Sequence, residues 1–259
     1  MQELINRGIP ARKIVVGKPA AMADVMNTGY ITAESFGDHW KRFRTEKGIE
    51  PQVMYWQLKS DRQGEIIKTV LNRALSGTIG NTTEQNNTSK TTNNNTTTNN
   101  TTNNTSTNST QSNTTNPNSP YILSMFYCGF GGDFCGQSTF DDVNPKTSIV
   151  TLAFANTLLN GSIEVDRANY PFTLVNGWKA SGNKVLLSVG GQNGRWDVVF
   201  QSSSNTNNFI NSIYSALVEY NLDGIDLDIE SYSTPPRAVA NMIIALKVKI
   251  GSKLLIVSP

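Results

Sequence analysis

A short apolar segment in the second half of the chain carries acidic residues at every second position. It spans residues 223–230 and consists of Asp-Gly-Ile-Asp-Leu-Asp-Ile-Glu. Side chains alternate between the two faces of a β-strand, so Gly224, Asp226, Asp228 and Glu230 are predicted to line one face. Three carboxylates this close repel one another, so at least one proton should be retained and at least one pKa raised. Such a strand suits a general acid better than a solvent-facing strand edge or a cation site.

This segment resembles the Asp-Gly-x-Asp-x-Asp-x-Glu signature of family 18 glycoside hydrolases, the chitinases and their relatives. A second motif of the family, Ser-x-Gly-Gly, is matched upstream by Ser188, Gly190 and Gly191, which follow an apolar run at residues 184–187. The second motif is weak alone, because many strands end in such a turn. The two motifs together, in the order that the family has, are specific.

The resemblance implies a substrate-assisted mechanism, in which the acetamido oxygen of a bound N-acetylglucosamine attacks the anomeric carbon. Glu230 would protonate the leaving oxygen and later activate water. Asp228 would orient the acetamido group and stabilise the positive oxazolinium intermediate, and Asp226 would share a proton with Asp228. Ser188 is expected to hydrogen-bond Asp226. No metal ion or organic cofactor is needed.

Four further motif or site residues follow from the same resemblance. Asp223 and Gly224 open the acid motif, and Asp223 is interpreted as structural because its strand parity is opposite to that of the other acids. Trp56 matches the substrate-facing Trp of the family's eighth barrel strand and would form an apolar floor under the sugar; the alternative is a core aromatic. Tyr127, at the end of a predicted strand, matches a site Tyr of the family.

Composition limits the other kinds of chemistry. The net charge of +2 gives no case for nucleic-acid or membrane-surface binding, and no apolar run approaches the ~20 residues of a membrane helix. The only histidine, His39, lies in a charged segment. Cys128 and Cys135, the only cysteines, leave a small-loop disulfide and two free thiols both open, and two cysteines make no metal site. The first residues are helix-like rather than a secretory signal, so secretion is expected only of a longer parent protein.

Residues 77–120 are almost entirely Asn, Thr and Ser. Such a segment cannot bury enough apolar surface to offset its ordering entropy, and we predict a disordered linker. After it, apolar strand-like runs alternate with helical periodicity, which predicts a parallel sheet covered by helices. With the acids at the carboxyl end of the fourth strand, residues 121–259 fit strands one to five of a (β/α)8 TIM barrel.

Residues 1–76 resemble the end of a family 18 barrel, with strands seven and eight and a closing helix. The α/β fold expected is therefore an incomplete barrel that lacks strand six, in either a fragment of a longer tandem protein or a circular permutant. Strands one and eight are neighbours in a closed barrel, so residues 53–58 are expected to pair with residues 122–127.

The motif predicts a hydrolase that acts on chitin or other glycans containing N-acetylglucosamine. Three alternatives stay open: a lectin-like protein that binds sugar without turnover, an endo-β-N-acetylglucosaminidase that acts on N-glycans, and an inactive fragment. The complete set of acids favours catalysis over binding alone.

Overall fold

The computed structural model describes residues 2–25, 29–50, 52–61, 64–76, 122–129, 139–231 and 234–258. The predicted linker at residues 77–120 lies outside them. The strands are β1 Val16–Pro19, β2 Gln52–Trp56, β3 Ile122–Cys128, β4 Ile149–Thr157, β5 Ile163–Glu164, β6 Lys184–Gly190, β7 Gly224–Asp228 and β8 Leu254–Ser258. The α-helices are α1 Gln2–Asn6, α2 Ala33–Lys47, α3 Glu65–Leu75, α4 Phe172–Ala180, α5 Trp196–Val199, α6 Ser203–Glu219 and α7 Pro236–Ile250.

Local sequence signals set the ends of the long helices. The hydroxyl of Thr32 accepts the backbone N–H of Ser35 at the start of α2, which ends at Gly48 in the left-handed conformation. Helix α6 starts in the same way, with the hydroxyl of Ser202 as its cap. Helix α7 has Pro236 in its first turn, where the missing N–H costs nothing.

The strands form one sheet, which contains strands from before and after residues 77–120. Its seven parallel strands lie in the order β1-β2-β3-β4-β6-β7-β8, and the short β5 pairs antiparallel with β4. Strand β2 pairs with β3 in parallel, with Gln52 opposite Ile122, so the predicted pairing across the linker is confirmed. In the described part of the chain, β1 and β8 are the two ends of this strand order. The fold is therefore an α/β half-barrel with a curled parallel sheet.

The two faces of the sheet differ in chemistry. One face packs under the helices and carries the alternate apolar residues of every central strand: Val53, Tyr55, Leu123, Met125, Tyr127, Val150, Leu152, Val185, Leu187, Val189, Ile225 and Leu227. The opposite face carries Trp56, Phe126, Ser188 and Asp226, and we call it the site face. In the acid strand, the apolar side chains therefore lie on one face and the carboxylates on the other, as the two-residue period of a β-strand requires.

Candidate active site

Asp226 is the most deeply buried acid on the site face. Only 1% of its surface is exposed, and serines on both neighbouring strands donate hydrogen bonds to it. The hydroxyl of Ser188 on β6 lies 2.6 Å from Oδ2, and the hydroxyl of Ser258 on β8 lies 2.8 Å from Oδ1. Both carboxylate oxygens of Asp226 therefore have a donor, as a buried carboxylate requires.

The hydrogen bond from Ser188 was expected from the sequence, whereas the one from Ser258 was not. In the described residues no hydrogen bond joins Asp226 to Asp228, so the two carboxyl groups influence each other through space. The sharing of a proton between them stays a proposal. The signal that could have identified Ser258 is a polar residue at the carboxyl end of an apolar strand adjacent to the acid strand.

Asp228 lies one pleat further along β7 and is partly buried. Its backbone carbonyl accepts the N–H of Gly191 at 3.0 Å and the indole N–H of Trp196 at 3.1 Å. Gly190 has a φ of +120° and would place a Cβ only 2.0 Å from this carbonyl oxygen. The Ser-x-Gly-Gly motif therefore fixes the backbone of Asp228 by close contact that only glycine allows.

The two buried acids have raised pKa values. Burial, and after it the neighbouring Asp226 and Glu230 carboxylates, together raise the pKa of Asp228 to about 8. Burial also raises the pKa of Asp226, to about 6, while the hydrogen bonds from Ser188 and Ser258 oppose that change. The expectation that at least one pKa rises is confirmed, and the larger rise is that of Asp228.

Glu230 lies just beyond the end of β7 and is exposed. The predicted strand extended to Glu230, but the structure ends it at Asp228. The backbone nevertheless stays tied to the neighbouring strand, because the N–H of Ile229 donates to the carbonyl of Ser258 at 2.7 Å. Glu230 is thus exposed at the carboxyl end of β7.

Asp223 lies at the opposite end of β7. Its carboxylate accepts the backbone N–H of Val185 at 3.0 Å and lies 3.4 Å from the amine of Lys179 and 3.5 Å from that of Lys184. Next to it, a Cβ on Gly224 would lie 2.3 Å from the carbonyl oxygen of Leu254. These contacts favour the interpretation that Asp223 and Gly224 support the fold rather than contact a substrate.

Trp56 lies on the site face within an aromatic cluster. Its ring stacks on Phe154 at 5.6 Å and meets Phe126 edge-on at 5.4 Å. The ring of Phe154 in turn lies against Gly191, where an added Cβ would be 2.9 Å away. Trp56 is therefore linked to the acid strand through Phe154 and the glycine turn. Sequence reasoning missed both phenylalanines.

Tyr127 is not on the site face. It shares the parity of Leu123 and Met125, is 7% exposed, and packs edge-on against Trp178 of α4 at 5.1 Å. The structure therefore does not bring Tyr127 to the acids as the resemblance implied, because its strand position points it toward the helices. Phe126 is the aromatic residue of β3 that occupies the site face.

Cys128 ends β3 and is held in a disulfide. Cys135 lies outside the described residues, so the pairing of these two cysteines stays a prediction.

Gly190→Ala is expected to destabilise the protein by about 2–3 kcal/mol, because it combines a strained φ with a clash against the carbonyl of Asp228. Gly29 offers a matched control, since it has a φ of +110° but nothing within 4 Å of its added Cβ. Urea unfolding of both variants measures the difference. Equal losses from Gly190→Ala and Gly29→Ala would show that the close approach to Asp228 is unimportant.

Asp228→Asn is expected to gain stability relative to wild type as pH rises. A carboxyl whose folded pKa is about 8, above its ordinary 3.8, stabilises the fold below about pH 4, and this contribution is lost as pH rises through 8. Asn does not ionise, so the difference in unfolding free energy should grow by at least about 1 kcal/mol across that window. Denaturant unfolding at several pH values checks this, with Asp38→Asn, an exposed carboxylate of α2, as control. Parallel pH curves for wild type and Asp228→Asn would contradict it.

The sequence model of the glycosyl hydrolases family 18 matches residues 124–255, just over half of the chain. This match includes both motifs. The chain therefore belongs to glycosyl hydrolase family 18.

Two curated relatives are each 31% identical to part of the chain. One is Exochitinase 1 of Streptomyces olivaceoviridis, over 113 residues that make up 38% of this chain and 18% of that protein. The other is a probable class II chitinase of Arthroderma benhamiae, over 109 residues that make up 37% of this chain and 32% of that protein. The chain thus aligns with less than a third of the length of either relative.

One similar solved structure is a family GH18 chitinase from Chromobacterium violaceum, with 30% identity and a TM-score of 0.47. The alignment covers 57% of this chain and 42% of that one.

None of the helices in the described ranges has the length and apolar character needed to cross a membrane.

Proposed function

We propose that the protein hydrolyses β-1,4-linked N-acetylglucosamine in chitin or chito-oligosaccharides and retains the anomeric configuration. The observation that carries this proposal is the arrangement of three acids along one segment, with Asp226 buried and Asp228 partly buried on β7 and Glu230 exposed just beyond its end. Graded exposure of this kind gives neighbouring carboxyl groups different protonation states and hence different roles.

In the first step the acetamido oxygen of the substrate forms a bond to the anomeric carbon, and the glycosidic bond breaks. Glu230 gives its proton to the leaving oxygen, which its exposed position at the strand end allows. The carboxyl group of Asp228 accepts a hydrogen bond from the acetamido N–H and so holds the acetamido oxygen for attack. As positive charge develops on the oxazolinium ring, this hydrogen bond strengthens, and the negative charge shared by Asp228 and Asp226 stabilises the ring.

In the second step water attacks the anomeric carbon from the side that the leaving group vacated. The Glu230 carboxylate takes up the proton of this water and returns to its starting state. The oxazolinium ring opens to restore the acetamido group, so the product has the configuration of the substrate. All atoms come from substrate, water and these side chains, and no cofactor takes part in the proposal.

Trp56 is proposed as the apolar floor under the reacting sugar. One face of its ring is stacked on Phe154, at an interplanar angle of 20°, so the sugar would use the other face. Phe126 meets the same ring edge-on and restricts its rotation. A rigid aromatic surface of this kind loses little conformational entropy when it binds a sugar.

Residues 1–76 are proposed to form the carboxyl-terminal part of a family 18 barrel, with β1 and β2 as its seventh and eighth strands. The position of β2 beside β3 supports this assignment. Strand six is then the position between β8 and β1, at the two ends of the described strand order. Secretion of the parent protein is also proposed, because chitin is an extracellular polymer and the disulfide at Cys128 fits an oxidising compartment.

The proposal is tested by incubating the protein with chitohexaose and following the anomeric protons by NMR. Hydrolysis that first yields the β-anomer supports it, whereas the α-anomer, or no hydrolysis at all, contradicts it. Binding without hydrolysis would favour the lectin-like alternative. Release of glycans from a high-mannose glycoprotein, with chitohexaose left intact, would favour the endo-β-N-acetylglucosaminidase.

A further inference from the structure

Asp226 receives hydroxyl hydrogen bonds from both sides of its strand, and the second donor, Ser258, belongs to neither family motif. Ser188 lies directly opposite Asp226 on β6, whereas Ser258 lies on β8, two residues beyond the partner of Asp226. Ser258 therefore reaches Asp226 diagonally and approaches the oxygen that Ser188 leaves free.

Ser258 also contacts the backbone of the acid segment. Its carbonyl accepts the N–H of Ile229, the residue between Asp228 and Glu230. One residue thus connects the buried carboxylate, through its hydroxyl, to the backbone that presents the other two acids.

Two donors on one carboxyl group favour a particular protonation state. An ionised carboxylate only accepts hydrogen bonds and is satisfied by two hydroxyl donors, whereas a protonated one must itself donate to a neighbour. We propose that Ser258 is a positioning residue that, together with Ser188, keeps Asp226 as the ionised member of the pair and so places the proton on Asp228.

In the described ranges, few other charged groups lie near Asp226. Along its own segment these are Asp228 on β7 and Glu230 just beyond the strand end. The lysines nearest β6 and β8 lie at the far end of the sheet, where Lys184 contacts Asp223 and Lys253 donates to the carbonyl of Leu222. Near the glycine turn, Arg195 and Asp197 are exposed. Within the described residues, the two serines are therefore the groups that hydrogen-bond to the carboxyl group of Asp226.

This inference rests on the proposed function, but its test does not require turnover. Ser258→Thr and Ser258→Val have nearly the same shape and differ in the hydroxyl. Both are well tolerated in a strand because they are β-branched. The side-chain carboxyl ¹³C resonances of Asp226 and Asp228 are followed by NMR through a pH titration of the folded 259-residue chain. Ser162→Ala, which removes an exposed hydroxyl bonded to Asn160, is the control.

In Ser258→Val the lower of the two titration steps should move up by about one pH unit, because a hydrogen bond to a charged group is lost. The Thr variant and Ser162→Ala should titrate as wild type. If the Val and Thr variants titrate alike, or if the lower step does not move in Val, the inference is overturned. The pH dependence of hydrolysis is a second measurement. In Ser258→Val its acidic limb should shift to higher pH, and its alkaline limb should stay at the wild-type pH. An acidic limb that does not shift would also contradict the inference.

Failure of the proposed function gives a different result from failure of this inference. A chain that titrates as described but hydrolyses no glycan contradicts the function and leaves the role of Ser258 in setting the charge intact. A chain that hydrolyses chitohexaose but keeps its lower titration step in Ser258→Val contradicts the inference alone.

Discussion

Glu230→Gln is expected to reduce hydrolysis of chito-oligosaccharides by at least about 100-fold while leaving their binding within a few-fold of wild type. Gln has nearly the size of Glu and keeps its hydrogen-bonding oxygen, but it has no proton to give to the leaving group. The side chain is exposed at the strand end, so the substitution should not change stability. Turnover with chitohexaose and calorimetric binding of the same sugar measure the two effects separately.

Glu164→Gln is the matched control, because Glu164 is an exposed glutamate on β5, remote from the acid motif in the sequence. It should retain wild-type turnover. If Glu230→Gln kept more than about a tenth of the activity, another group would have to supply the proton and the assignment of the acid would be wrong.

The sheet could be predicted from the sequence because its central strands β3, β4 and β6 are buried on both faces. Strands of this kind are continuous apolar runs, and the long helices α6 and α7 begin at a capping serine and a first-turn proline. Strand β8 coincides with the apolar run at residues 254–257 and the serine that follows it, and α7 begins at Pro236, the second of two consecutive prolines. The less accurate boundary was the end of β7, which stops at Asp228 although the acid alternation continues to Glu230.

Apart from the Ser188–Asp226 hydrogen bond, which the family resemblance implied, side-chain contacts between strands could not be predicted, because they depend on register. Ser258 reaches Asp226 only because β8 pairs with β7 so that Ile256 lies opposite Asp226. The stacking of Phe154 on Trp56 likewise joins two strands that are separated by β3 in the sheet.

Tyr127 is a different case, because strand parity alone could have excluded it from the site. It alternates in phase with Leu123 and Met125, which are both fully buried in the core. Resemblance to a family motif placed it among the site residues, whereas the two-residue period places it toward the helices. Where a family resemblance and the two-residue strand period disagree, the strand period is the physical constraint, because a side chain cannot change faces without a shift of the whole strand.

Asp228→Asn is expected to lower kcat by about 100- to 1,000-fold and to change KM by much less. The carboxyl group acts chiefly on positive charge that develops as the acetamido oxygen attacks, and a contact made only in the transition state affects kcat. Asn can still accept a hydrogen bond from the acetamido N–H through its side-chain oxygen, so ground-state binding should persist. It cannot share a proton and a negative charge with Asp226, so it stabilises the positive oxazolinium ring less.

Steady-state kinetics with chitohexaose give both constants, and Asp38→Asn controls for the loss of one carboxylate elsewhere. The backbone of Asp228 should stay in place in the variant, because Gly191 and Trp196 hold its carbonyl and not its carboxyl group. A loss of kcat can then be attributed to charge rather than to a displaced strand. If affinity fell as much as turnover, or if kcat were unchanged, Asp228 would act on substrate binding and its proposed role in the transition state would be wrong.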